Sequence, residues 1–154
     1  MSLLEHIGGT TDIRQLSFPQ LEELCTEIRQ ELIRNISVTG GHLASNLGIV
    51  ELTVALHNVF DPMKDRIVFD VGHQSYVHKM LTGRLGQFPT LRQEGGLSGF
   101  PKPEESPADA FIAGQASNSV SVALGMARAR TLTGGDYDGG GRWGEGARTG
   151  GLAV

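Results

Sequence analysis

The stretch Asp70-Val71-Gly72-His73-Gln74-Ser75-Tyr76 holds the residue types best suited to chemistry. It follows the apolar run Ile67, Val68, Phe69 and precedes His78-Lys79. A strand that ends in Gly-His and turns into a helix puts an imidazole at the carboxyl edge of a sheet, where open α/β sheets bind their ligands. A neutral imidazole near pH 7 can pass protons to and from a bound molecule. His73 reads equally well as a histidine satisfied inside a turn, although loops at strand ends carry sites more often than other segments. His42 follows Gly40-Gly41. Two glycines let backbone approach a ligand or take a positive φ, but they can also simply end a helix and leave His42 incidental. A third block, Gly95-Gly96-Leu97-Ser98-Gly99-Phe100-Pro101, adds weight to the other two. His6, His57 and His78 read as structural or solvated.

Gly114-Gln115-Ala116-Ser117-Asn118-Ser119 opens a helix with small residues. Such a start suits diphosphate recognition by backbone N–H groups, and it also suits an ordinary cap by Ser117 or Asn118. Gly144-Glu145-Gly146-Ala147-Arg148-Thr149-Gly150 looks superficially like a dinucleotide fingerprint. No apolar strand precedes it, because Gly139-Gly140-Gly141-Arg142-Trp143 would make a poor strand, so that reading fails. The chain has no Cys-x-x-Cys, His-Glu-x-x-His, Walker loop or Gly-x-Ser-x-Gly.

These blocks need elements to position them. Ser17 can cap a helix, Gln20 can reach back to it, and Leu16 can staple onto Leu21. Leu21, Leu24, Ile28, Leu32 and Ile36 then recur at helical spacing up to Gly40-Gly41. A second helix runs from about Leu47 to Phe60, apolar on most sides and therefore expected to be buried. Arg66 to Val71 reads as a buried strand and Gln74 to Leu81 as helical. Gly83 to Asp109 has little periodicity. Ala110-Phe111-Ile112-Ala113 reads as a second strand, and a helix follows from about Ser117 to Leu132. Strand, glycine, then a small-polar helix start occurs twice, the mark of an α/β domain with a parallel sheet flanked by helices. Two glycine-led helix starts at one sheet edge can hold a phosphate.

A chain of 154 residues suffices for one domain with a real core. Its formal charge of −4 gives no electrostatic reason to expect nucleic acid or an anionic membrane. No apolar run approaches the roughly 20 residues that span a bilayer, and Met1-Ser2-Leu3-Leu4-Glu5-His6 has no signal-peptide pattern. A lone Cys25, read as a packing residue, fits a reducing, cytoplasmic setting. Nine of the 22 glycines lie between Gly134 and Gly151, which divides the chain into a well-patterned part, about 1–133, and a glycine-rich tail, 134–154.

Several blocks together resemble the N-terminal part of the 1-deoxy-D-xylulose-5-phosphate synthases, transketolase-like thiamine diphosphate enzymes. They are Gly41-His42-Leu43-Ala44-Ser45, Val50-Glu51-Leu52-Thr53-Val54-Ala55-Leu56-His57, Asp70-Val71-Gly72-His73-Gln74, Leu81-Thr82-Gly83-Arg84, the Gly95-to-Pro101 block and Ala123-Leu124-Gly125-Met126-Ala127. The resemblance implies a truncated thiamine diphosphate-binding domain occupying residues 1–154. It implies an activity that joins pyruvate to glyceraldehyde 3-phosphate with loss of carbon dioxide, feeding isoprenoid, thiamine and pyridoxal synthesis, in a cytoplasmic homodimer. His42 matches the family histidine near the reacting centre, and His73 the one that contacts cofactor and substrate. Gly114, Gln115 and Ala116 stand where the family contacts thiamine diphosphate. Glu145 stands at the Mg²⁺-binding aspartate, with Gly146 and Ala147 beside the diphosphate. Mg²⁺ is hard and prefers oxygen ligands in octahedral geometry.

The chain departs from that family pattern in four places. Gln115 replaces a histidine and cannot carry a proton. Glu145 is one methylene longer than aspartate, which predicts weaker Mg²⁺ binding. Gly139 to Trp143 replaces a valine-rich strand, and Arg148 replaces a leucine. The replacements of valine or alanine by glycine, leucine by arginine, aspartate by glutamate and histidine by glutamine are each one base change, which reads as a degraded or misread gene end. The family's other metal and cofactor residues lie beyond Val154, so the polypeptide alone is expected to be inactive. Two further readings are an N-terminal subunit of a split transketolase and a non-catalytic fragment that associates with other subunits.

Overall fold

The computed structural model describes residues 2–112, 114–142 and 152–153, with side chains described as far as residue 138. The chain forms two compact units. The first comprises residues 1–61 and 74–99, and the second residues 62–73 and 100–154.

The first unit is helical: α1 (Thr10–Ile13), α2 (Phe18–Thr39), α3 (Leu43–Leu47), α4 (Val50–Val59) and α5 (Tyr76–Lys79). Helix α2 starts as its sequence predicts. The Ser17 backbone N–H donates to Gln20 Oε1 at 2.9 Å, and the Ser17 hydroxyl donates to the same atom at 2.7 Å. Leu24, Ile28, Leu32 and Ile36, one stripe at helical spacing, are buried against Val50, Val54, Tyr76, Met80 and Phe88. Cys25 is buried at the same face, and burial pushes its thiol pKa up. Gly40, at φ 72°, ends the helix.

The helix expected from about Leu47 to Phe60 is present as α4 but starts at Val50, and a separate short helix, α3, precedes it. Gly48 and Ile49 separate the two, and Ile49 leaves helical geometry at φ −129°, ψ 13°. Only one face of α4 is buried, through Val50, Thr53, Val54 and His57, while Leu52 is 50% exposed. Near-continuous apolar composition therefore overstated the burial of this segment. Residues Leu85–Thr90, expected to lack regular structure, form a 3₁₀ turn that buries Phe88.

The second unit is built on β1 (Arg66–Phe69), α6 (Ser119–Thr133), β2 (Gly139–Arg142) and β3 (Leu152–Ala153). Strand β1 pairs in parallel with β2, Arg66 opposite Gly139 and Phe69 opposite Arg142. Strand β3 joins β2 antiparallel. Two expectations are corrected here. Residues 110–112 form no strand, and Ala113 lies outside the described residues. The glycine-rich run starting at Gly139 does form a strand. Ladder hydrogen bonds join backbone groups, so a well-formed neighbour with Ile67, Val68 and Phe69 buried can recruit a partner whose own propensity is poor. The sheet thus contains one parallel and one antiparallel pair among the described residues.

Candidate active site

In the first unit, three sequence blocks meet at the Tyr76 hydroxyl. Tyr76 is fully buried, its ring edge-on to Phe88 at 6.2 Å between centroids. The backbone N–H of His42 donates to its Oη at 3.4 Å, and His42 Nδ1 lies 3.4 Å from the same atom. A β-carbon at Gly41 would stand 2.9 Å from Oη, and one at Gly99 would stand 3.6 Å away. Gly41, at φ 142°, is therefore needed twice, for its backbone angle and for the space the tyrosine occupies. Gly40 ends α2, as one reading expected, and Gly41 makes room for the Tyr76 hydroxyl.

Asn46 locks this arrangement. It is fully buried. Its Nδ2 donates to the His42 carbonyl at 2.8 Å, and its Oδ1 accepts the Tyr76 backbone N–H at 3.1 Å. Gln74 Nε2 donates to the Ser45 carbonyl at 3.0 Å. The segment 42–46 is thus stitched to the segment 74–76, and the His42 side chain is left exposed. In the third block, a β-carbon at Gly96 would overlap the Thr90 carbonyl. The Thr90 hydroxyl accepts the Leu97 N–H at 3.1 Å, which folds the block back on itself.

In the second unit, the turn after β1 is tight. Gly72 N–H donates to the Asp70 carbonyl at 2.6 Å, with Val71 at φ 59° and Gly72 at φ 92°. A β-branched residue in the left-handed region is a genuine outlier, and such strain gathers at functional sites. His73 follows, half-buried. The buried Asp70 carboxylate accepts the backbone N–H of Ser117 at 3.0 Å through Oδ2 and that of Ser119 at 3.4 Å through Oδ1. This corrects the sequence reading of the α6 start. Asn118 occupies the cap position without a side-chain cap bond, and the cap comes from the end of β1 instead. The Asp70 carboxylate thus takes the N–H of Ser119, the first residue of α6, and that of Ser117 in the turn before it.

Gly114, Gln115 and Ala116 lead into this turn and are exposed, with open space where a Gly114 β-carbon would stand. Glu145, Gly146 and Ala147 lie outside the described residues. A carboxylate is the donor type that Mg²⁺ takes. Among the described residues no group of three His, Cys, Asp or Glu side chains is arranged to hold a metal.

Sequence reasoning missed Tyr76, Asn46 and Asp70 as builders of these turns. The available signal was an aromatic residue with a polar tip inside a buried run, together with polar residues too close to the histidines to be solvated by chance.

The family model that matches this chain places it in an N-terminal, thiamine diphosphate-binding domain of the transketolase type. The chain belongs to the 1-deoxy-D-xylulose-5-phosphate synthase family, whose model matches residues 4–154. It is 59% identical over 151 residues to the 1-deoxy-D-xylulose-5-phosphate synthase of Natranaerobius thermophilus, covering 98% of this chain and 24% of that protein. It is 60% identical, with the same coverage, to that of Pelotomaculum thermopropionicum, and 55% identical to one from Dehalococcoides mccartyi. The chain therefore spans about a quarter of the length of the curated relatives it matches.

Proposed function

We propose that residues 1–154 are part of one thiamine diphosphate domain of a 1-deoxy-D-xylulose-5-phosphate synthase, in which pyruvate and glyceraldehyde 3-phosphate are joined with loss of carbon dioxide. The family match over residues 4–154 carries this reading. His42 and His73 are its catalytic residues. His73 also contacts thiamine diphosphate, with Gly114, Gln115, Ala116, Gly146 and Ala147, and Glu145 holds Mg²⁺. When bound, the cofactor supplies the nucleophilic carbon and the electron sink, while the protein supplies orientation and electrostatics.

The chain's own residues prepare that site. Gly41 and Tyr76 set the height of the His42 loop, and Asn46 fixes its carbonyl. The strained Val71-Gly72 turn aims His73 from the end of β1. The parallel pair β1–β2, with α6 packed against it, supports a wider parallel sheet flanked by helices. Leu124 and Leu132 on α6 are 61% and 71% exposed, apolar surface that suits a homodimer. No helix among the described residues is long and apolar enough to cross a membrane, which fits a cytoplasmic enzyme.

The test is a chimera in which these residues replace the matching quarter of the Natranaerobius thermophilus relative. Product formation from pyruvate and glyceraldehyde 3-phosphate is expected, with large losses in His42→Ala and His73→Ala. A folded chimera that binds neither thiamine diphosphate nor substrate, beside an active parent, overturns the reading. Within the chimera, Glu145→Asp is expected to lower the Mg²⁺ needed for half-activation by about tenfold, the scale on which disturbed metal shells lose affinity. The 154-residue polypeptide alone is expected to give no product.

A further inference from the structure

We infer that Tyr76 is a positioning residue that fixes the proton of His42: its hydroxyl donates to Nδ1, so the imidazole keeps its own proton on Nε2 and works as a hydrogen-bond donor. This rests on the reading of His42 as an active-site histidine and specifies the form in which it acts.

The donor and acceptor count gives the direction. The Tyr76 Oη already accepts the backbone N–H of His42 at 3.4 Å. Its own proton needs an acceptor, because the residue is fully buried and a buried phenol pairs its hydroxyl. Among the described residues the acceptor within reach is His42 Nδ1, at 3.4 Å. That distance is at the long end of the range, as catalytic hydrogen bonds often are before a ligand tightens them. The sp² nitrogen that receives a proton donor must carry its lone pair, so the ring proton sits on the other nitrogen.

The surroundings hold Oη in place. Gly41 leaves space for it, and Phe88 packs on the ring. Asn46 bridges the His42 carbonyl and the Tyr76 N–H through 2.8 and 3.1 Å bonds, which couples the two backbones. Rotation of the His42 ring would therefore leave the hydroxyl of the buried Tyr76 without this acceptor.

The chemical consequence is specific. With Nδ1 occupied by the tyrosine and Nε2 carrying the proton, the neutral ring has no free lone pair for abstracting a proton. It offers Nε2–H to an oxygen on which negative charge develops. A neutral imidazole used as an electrophile in this way is an established catalytic device.

The experiment is a long-range ¹H–¹⁵N correlation spectrum of the histidine rings in the full protein, without substrate, with His42 assigned by the loss of its signals in His42→Gln. The expected pattern has Nδ1 of the unprotonated type and Nε2 of the protonated type. In Tyr76→Phe, which keeps the ring and its packing, the two nitrogens are expected to draw together as both tautomers populate, and in the chimera the same change is expected to lower kcat by about tenfold with KM little changed. A proton on Nδ1 in the wild-type protein overturns the inference, and so does a Tyr76→Phe spectrum identical to wild type. If Tyr76→Phe does not fold, the wild-type spectrum decides alone. The readout needs no turnover. A folded chimera without synthase activity, beside a protein that shows the expected tautomer, would end the functional reading and leave this one standing, while an active chimera with Nδ1 protonated would do the reverse.

Discussion

The carboxylate of Asp70, at the end of β1, caps helix α6 by accepting the backbone N–H groups of Ser117 and Ser119, 47 and 49 residues further along the chain. A strand end and a helix start are thereby fixed to each other, and the His73 and 114–116 turns are built on the same joint. Loss of an N-cap costs about 1–2 kcal/mol. Asp70→Ala is expected to cost at least that, because it also orphans the buried Ser119 N–H. Asp70→Asn keeps one acceptor oxygen and is expected to cost about half as much. Urea unfolding of the two variants measures both, and equal costs would show that only one of the two bonds matters.

Gly41 and Gly40 separate backbone conformation from space. Both have positive φ, at 142° and 72°. A β-carbon at Gly40 meets nothing within 4 Å, whereas one at Gly41 would stand 2.9 Å from Tyr76 Oη. Gly40, at φ 72° and ψ 169°, lies in a region essentially reserved for glycine, so Gly40→Ala is expected to cost about 1–3 kcal/mol. Gly41→Ala is expected to cost more than Gly40→Ala, because displacement of a buried tyrosine adds to the backbone strain. Similar losses in the two variants, measured by urea unfolding, would remove Tyr76 from the account of this loop.

Much of this arrangement is legible in the sequence, and the exceptions have physical causes. The Ser17-to-Gln20 start and the Leu24-to-Ile36 stripe follow local rules, and both appear as read. The break at Gly48-Ile49 was hidden because apolar composition reports affinity for a core and not continuity of a helix. The strand at Gly139–Arg142 defied propensity because its stabilisation comes from β1, a partner no local window contains. The role of Asp70 as a cap is not legible, since a cap supplied from so far along the chain leaves no local signal. Gly41 and His42 were legible as a pair, but the residue that explains them, Tyr76, lies 34 positions away from the histidine.

His57 and His78 predict a pH dependence that separates from that of the carboxylates. His57 Nδ1–H donates to the Thr53 carbonyl at 2.8 Å, and His57 Nε2 accepts from His78 Nδ1 at 2.9 Å, both rings fully buried. Burial first, then the neighbouring His78, pushes the His57 pKa down to about 3 from 6.5. A depressed folded-state value means that the unfolded chain binds the extra proton. Stability is therefore full above pH 6.5 and declines as pH falls toward 3, by up to about 1.4 kcal/mol per pH unit. Between pH 6.5 and 5 the carboxylates are still mostly ionised, so the slope there belongs to histidine. Urea midpoints across that window should fall in the wild type and less in His57→Gln. A flat wild-type profile would sink this account.

Val71 sets stability against function at the same strand end. Its φ of 59° costs an L residue with a branched β-carbon roughly 1–2 kcal/mol. Gly72 beside it, at φ 92°, already has the residue type such a backbone prefers. Val71→Gly removes the steric penalty but gives the unfolded chain more freedom, so a net gain of about 1 kcal/mol is expected. The same change loosens the turn that aims His73, and in the chimera kcat is expected to fall while thermal stability rises. Opposite signs in the two measurements identify strain held for positioning. If Val71→Gly raised stability and left kcat unchanged, the turn would be strained for reasons unrelated to His73; if it lowered stability, the valine would be supplying packing that outweighs its backbone cost.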